Sequence, residues 1–110
     1  MTDREMLELA ARAAGYVFGE YGGKPARQVT TKIGAAWIYW NPRGDDGDAL
    51  RLAVYLEFEI DITSTGVAVR TRCGLKVLVN KTEEPDLCAA ARLAITRAAA
   101  KIGRQMEETT

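Results

Sequence analysis

The segment Trp40-Asn41-Pro42-Arg43-Gly44-Asp45-Asp46-Gly47-Asp48-Ala49-Leu50-Arg51-Leu52-Ala53-Val54 packs a strand end, a turn and a helix start into one short stretch. Pro42 fixes its own φ and Gly44 admits conformations closed to other residues, so residues 41–44 reverse the chain. Asp45 or Asp46 then caps a helix, and the carboxylates around it complement the positive end of the helix dipole. A strand before this turn and a helix after it commit the chain to mixed α and β structure. No set of reactive groups accompanies the segment.

The remaining elements follow from spacing. Thr2-Asp3-Arg4-Glu5 is a capping box, which predicts a helix over 3–14 with Met6, Ala10, Ala13 and Val17 on one stripe, Leu7 and Ala14 beside it, and Gly15 as its stop. Gly19, Gly22, Gly23 and Pro25 make 19–26 a loop. Residues 28–40 read as one strand bent at Gly34, with Trp37 and Tyr39 on one face and Ala36, Ile38 and Trp40 on the other. Both faces are apolar, so both are expected to be covered. Leu50, Ala53 and Val54 form the stripe of the second helix, flanked by Leu52 and Leu56.

Phe58, Ile60 and Ile62 alternate with Glu57, Glu59 and Asp61, the pattern of a strand with one wet face. Residues 63–66 turn into an antiparallel partner that sets Arg70 and Arg72 opposite those acids, and Leu75, Val77 and Val79 add a third strand. Thr82 or Asp86 caps the last helix, whose stripe is Leu87, Ala91, Ala94, Ile95, Ala98 and Ile102; it ends near Gly103 or Met106, before a frayed tail at 107–110. The expected fold is α/β (α+β): a three-layer α/β/α sandwich with a small, mainly antiparallel sheet, order α-β-α-β-β-β-α, as a single domain over 1–110.

A chain of 110 residues has room for one core, and 47% hydrophobic with 27% charged residues is a globular composition. Fifteen basic residues balance fifteen acidic ones, so no global field draws the chain to nucleic acid or an anionic membrane. No apolar run approaches the roughly 20 residues that span a bilayer, and no signal-peptide core follows Met1, which points to a cytoplasm. Cys73 and Cys88 are expected as free thiols, with Cys88 in the core.

The absence of histidine excludes Ser-His-Asp triads, Cys-His pairs and histidine-dependent zinc sites. Asp45, Asp46 and Asp48 lack the ligand series of a calcium loop and read as helix caps. Cys73 beside Arg70 and Arg72 has no evident general base, and Glu57, Glu59 and Asp61 read as a solvated strand face. Residues 19–24 lack phosphate-loop spacing. Trp37, Tyr39 and Trp40 suit core filling better than base stacking. No catalytic residue, cofactor or metal is expected.

Residues 40–56, continuing the opening segment through Tyr55 and Leu56, resemble the central motif of the phage ABA sandwich domain family, small proteins of tailed phages and prophages. Residues 7–15 and 91–103 are similar to that family's terminal helices, so the resemblance covers nearly the whole chain. It departs at Arg43-Gly44, where the family has an apolar residue followed by Thr, and at 22–31. The resemblance implies an α/β/α sandwich encoded by a phage or prophage, and it brings no catalytic residue with it.

The leading functional expectation is therefore a noncatalytic phage or prophage accessory protein that binds an unknown host or phage protein in the host cytoplasm. Tyr21, Lys24, Arg27 and Arg43 are its candidate contacts, chosen for loop placement and interface-forming side chains. One alternative is a nucleic-acid-binding module using Arg70, Arg72, Arg97, Lys101 and Arg104 on phosphates. Another is a small-ligand binder or enzyme built on Asp45, Asp48, Arg51 and Cys73. A homodimer through an uncovered sheet edge or aromatic patch is a further alternative.

Overall fold

Thr2 caps the first helix as its spacing predicts: in the computed structural model, which describes residues 1–108, its hydroxyl accepts from the Glu5 amide at 3.1 Å. Helix α1 (Asp3–Ala14) ends at Gly15, whose φ of 74° lets Gly15 and Tyr16 donate back to the carbonyls of Arg12 and Ala11. Three strands follow: β1 (Phe18–Tyr21), β2 (Lys24–Thr31) and β3 (Gly34–Tyr39), paired antiparallel in the order β1-β2-β3. Helix α2 (Asp46–Tyr55) leads to a second antiparallel sheet, β4 (Glu59–Thr63), β5 (Gly66–Arg70) and β6 (Lys76–Asn80), and helix α3 (Leu87–Glu108) closes the chain.

This α+β arrangement of three helices and two three-stranded sheets corrects the expected order. Residues 19–26 are not a loop, and 28–40 is not one strand. Gly22 and Gly23, at φ 61° and 78°, form a tight turn between β1 and β2, which is where left-handed residues match strand twist. Gly34, at φ 126°, follows a second tight turn that reverses the chain where a bend was expected, and the Thr31 hydroxyl donates to its carbonyl at 2.6 Å. Of the glycines that argued against regular structure, Gly22 and Gly23 are a turn of a meander and Gly19 lies within β1 itself.

Asp45 caps α2, its carboxylate accepting from the Asp48 amide at 2.8 Å, and Asp86 accepts from the Cys88 amide at 2.9 Å at the head of α3. The α2 stripe is rotated from its expected phase: Ala49, Leu52 and Ala53 are buried, whereas Leu50 and Val54 are exposed. Val17 likewise lies outside the core. Helix α3 packs on α1, α2, β5 and β6, and buries Ala90, Leu93, Thr96, Ala99 and Ala100 in addition to the predicted Ala94, Ile95 and Ala98. It remains helical through Glu108, so Glu107 and Glu108 are not frayed, and the rest of the expected tail lies outside the described residues.

In the second sheet, Val67, Val69, Val77 and Val79 fill the buried face; Ile60 and Ile62 pair with Val69 and Val67 on that side, but only Ile60 is half-buried, and Ile62 is exposed, so the expected dry face of β4 is covered only in part. Each of these valines removes apolar surface worth about 1.5–3 kcal/mol when fully buried. Trp40 is buried at the exit of β3, with Tyr16 and Phe18 at ring-centroid distances of 5.6 and 6.2 Å in edge-to-face geometry. These three aromatic rings anchor the first sheet to the core.

Candidate functional site

The first sheet presents an aromatic face. Strand pairing of Tyr21 with Lys24, and of Gly19 and Tyr39 with Ala26, sets these side chains on one side, and alternation adds Trp37. Tyr21 and Tyr39 are 5.7 Å apart between ring centroids, and the Lys24 ammonium lies 5.5 Å over the Tyr39 ring. A Cβ at Gly19 would come within 2.8 Å of the Trp37 ring, so the indole lies directly over that glycine. Ala26, between Gly19 and Tyr39 in the same row, is fully buried.

The rings themselves stay in contact with solvent: Tyr21 is 54% exposed, Trp37 36% and Tyr39 56%. This corrects the expectation that both faces of the 28–40 segment are covered and that Trp37 and Tyr39 fill a core. Lys24 and Tyr39 continue into a concavity of about 450 Å³ bordered by Asn41, Asp45, Asp48 and Arg51 at the start of α2. The surface thus combines flat aromatic area with a charged rim.

Of the four expected contact residues, the structure brings Tyr21 and Lys24 together here. Arg27 belongs to the opposite face of β2, where its guanidinium stacks 4.1 Å from the Tyr16 ring centroid. Arg43 is tied to the head of α1 through Asp3 at 2.7 Å, and its carbonyl accepts from Arg92 at 3.0 Å. Both are structural partners of the core elements as well as surface cations.

The alternative basic set is interleaved with acids. Arg72 pairs with Glu57, Arg70 lies 3.8 Å from Glu59, and Arg97 lies 2.5 Å from Glu83. Lys101 is exposed on α3, and Arg104 shares a small depression with Glu5, Glu8 and Arg12. A phosphate approaching these cations meets carboxylates in the same neighbourhood, which lowers the charge it would gain by neutralising them.

The acidic cluster serves the fold. Asp45 caps α2; Asp46 lies 2.6 Å from Arg92; Asp48 accepts from the Asn41 amide at 3.0 Å and from Arg51 at 2.9 Å. The Asp48 hydrogen bond raises the Arg51 pKa, and Asp46 does the same for Arg92. Among the described residues, no group of three or more acidic or thiol side chains is placed to hold a metal ion. Cys73 lies in the turn between β5 and β6, away in sequence from these carboxylates, with the Thr71 hydroxyl 3.1 Å from its sulfur. That hydrogen bond holds the thiol below its ordinary range, against the opposing effect of burial.

Sequence reasoning missed an apolar groove of about 330 Å³ between α2, β4 and α3, lined by Leu50, Ile60, Ile62, Leu87, Ala91 and Ile95. Cys88 also borders it and is exposed, not a core residue. The strict alternation of 58–62 was its only advance signal. Among the described residues, no helix is long and apolar enough to cross a membrane.

Comparison with known proteins finds no matching family model, no matching curated protein and no matching solved structure.

Proposed function

We propose that this chain is a noncatalytic phage or prophage accessory protein that acts in the host cytoplasm by binding another protein through the aromatic face of its first sheet. The observation that carries the reading is the grouping of Tyr21, Trp37 and Tyr39, solvent-exposed on a three-stranded meander, with Lys24 over one ring. Tyrosine and tryptophan supply large contact area at low conformational cost and dominate the energetics of protein interfaces. Among the described residues, Lys24 is the cation that strand pairing places on this face, which suits a protein partner better than a nucleic-acid backbone. The three-layer α/β/α sandwich, a β layer between the chain's own helices, belongs to this proposal too, and the packing of α3 on β5 and β6 supports it.

Affinity capture from phage-infected or lysogenic host extract, compared between wild type and variants, tests the proposal. A partner retained by wild type and by the Arg70→Ala/Arg72→Ala variant, and lost with Trp37→Ala/Tyr39→Ala, is the expected result. Equal retention by both variants, or no specific partner at low salt, would overturn it. Titration with single- and double-stranded DNA and RNA reads the nucleic-acid alternative directly, since phosphate binding weakens steeply with salt.

A further inference from the structure

β3 is the outer strand of the first sheet, and the phase of its ladder shows which backbone groups are unpaired. The Trp40 amide donates to the Pro25 carbonyl at 3.0 Å, so Trp40, Ile38 and Ala36 direct their backbone groups toward β2. By the alternation of an antiparallel ladder, Ala35, Trp37 and Tyr39 direct theirs away from the sheet. Every residue of Gly34–Tyr39 except the half-buried Ala36 is exposed.

Soluble proteins defend such edges with charges, prolines or short strands. The other edges here are defended in this way. β1 has four residues and carries Glu20, which pairs with Arg4. β4 carries Glu59 and Asp61, and β6 begins at Lys76 and is followed by Lys81. β3, Gly34-Ala35-Ala36-Trp37-Ile38-Tyr39, carries neither charge nor proline.

We infer that β3 pairs antiparallel with β3 of a second copy of this chain, about a two-fold axis at Trp37, joining the two first sheets into one six-stranded sheet. This register sets the outward groups of Trp37 against the partner's Trp37 and those of Ala35 against the partner's Tyr39. It also sets Ala36 opposite the partner's Ile38, so small residues meet large ones and no like charges face each other. At β4 the Lys81 amide donates to the Thr65 carbonyl, which phases the ladder so that Ile60 and Ile62 direct their backbone groups outward; the same pairing centred on Ile60 would oppose Glu59 to the partner's Asp61, which is why β3 is the edge selected. The aromatic faces of both copies then lie on one side of the joined sheet. The inference is independent of the proposed partner, because self-association is read on the purified protein alone.

Sedimentation equilibrium of the full chain under reducing conditions, over a wide concentration range, tests it. A species of twice 12.0 kDa that dissociates on dilution is expected. Ala35→Pro removes an outward amide without touching the β2 ladder, and Trp37→Lys sets two ammonium groups across the axis. Each is expected to weaken self-association by at least about tenfold. Circular dichroism confirms that the variants fold, and if Trp37→Lys does not, Ala35→Pro alone decides. A wild-type monomer at every concentration, or a dimer unaffected by folded Ala35→Pro, would overturn the inference.

Discussion

Gly103 of α3 lies against the Leu9 carbonyl of α1 so closely that a Cβ at this position would collide with the carbonyl oxygen. The two longest helices therefore meet backbone to backbone at this point, and Ala10, Ala14, Ala99 and Ala100 of the same two helices are buried. Adding one methyl group forces the helices apart. Gly103→Ala should lower stability by about 1–3 kcal/mol, despite alanine's better helix propensity. Urea unfolding checks this as a lower midpoint at unchanged slope.

The two tryptophans should separate cleanly by fluorescence. Trp40 is buried and Trp37 is partly exposed on the aromatic face. A Trp37→Phe variant keeps blue-shifted emission resistant to acrylamide, whereas Trp40→Phe leaves red-shifted, quenchable emission. Trp40→Ala should cost about 3–5 kcal/mol, as large-to-small core substitutions of this size do. If both single-tryptophan variants were quenched alike, the placement of the first sheet would be wrong.

Asp45, Asp46 and Asp48 are engaged in capping, pairing with Arg92 and accepting from Asn41. Millimolar calcium or magnesium should leave the melting temperature unchanged. Asp45→Ala should lower stability by about 1 kcal/mol through loss of the cap. A metal-dependent rise in melting temperature that Asp45→Ala abolishes would restore the cation-site reading.

Arg97 hydrogen bonding holds the Glu83 carboxyl below its ordinary range. A carboxylate depressed in the folded state stabilises the fold above its unfolded pKa, about 4.3, and loses that contribution as pH falls through the lower folded value. Wild type and Arg97→Gln should therefore differ in melting temperature near neutral pH and converge in acid. Parallel curves at all pH values would show that this pair is not linked to folding.

Residues that signal an element by a local rule were readable in advance. Thr2 and Asp45 as caps, Gly15 as a helix stop and the 63–66 turn all sit where expected, because each acts within a few residues of itself. The end of α2 had no such signal. Glu57 adopts φ 57° there, a conformation normally left to glycine, while Glu57 and Phe58 donate to the carbonyls of Val54 and Ala53. These two local hydrogen bonds, the pair of a Schellman cap, hold a non-glycine residue against its own preference, so residue type alone did not mark the stop. The candidate surface was half legible: Tyr21 and Lys24 are on it, but Trp37 and Tyr39 read as core because apolar character alone does not say which rings are covered.

By itself, the sequence determined the helix starts, the second meander with its alternating faces, and the lack of histidine chemistry, since these depend on residue type and short-range spacing. Tertiary structure decided that residues 18–39 form a separate sheet, which way α2 is rotated, and that the aromatic face and the β3 edge are open to solvent. Those outcomes depend on how much apolar surface α1, α2 and α3 can cover once packed together. That quantity belongs to the assembled core and is written in no single segment of the chain.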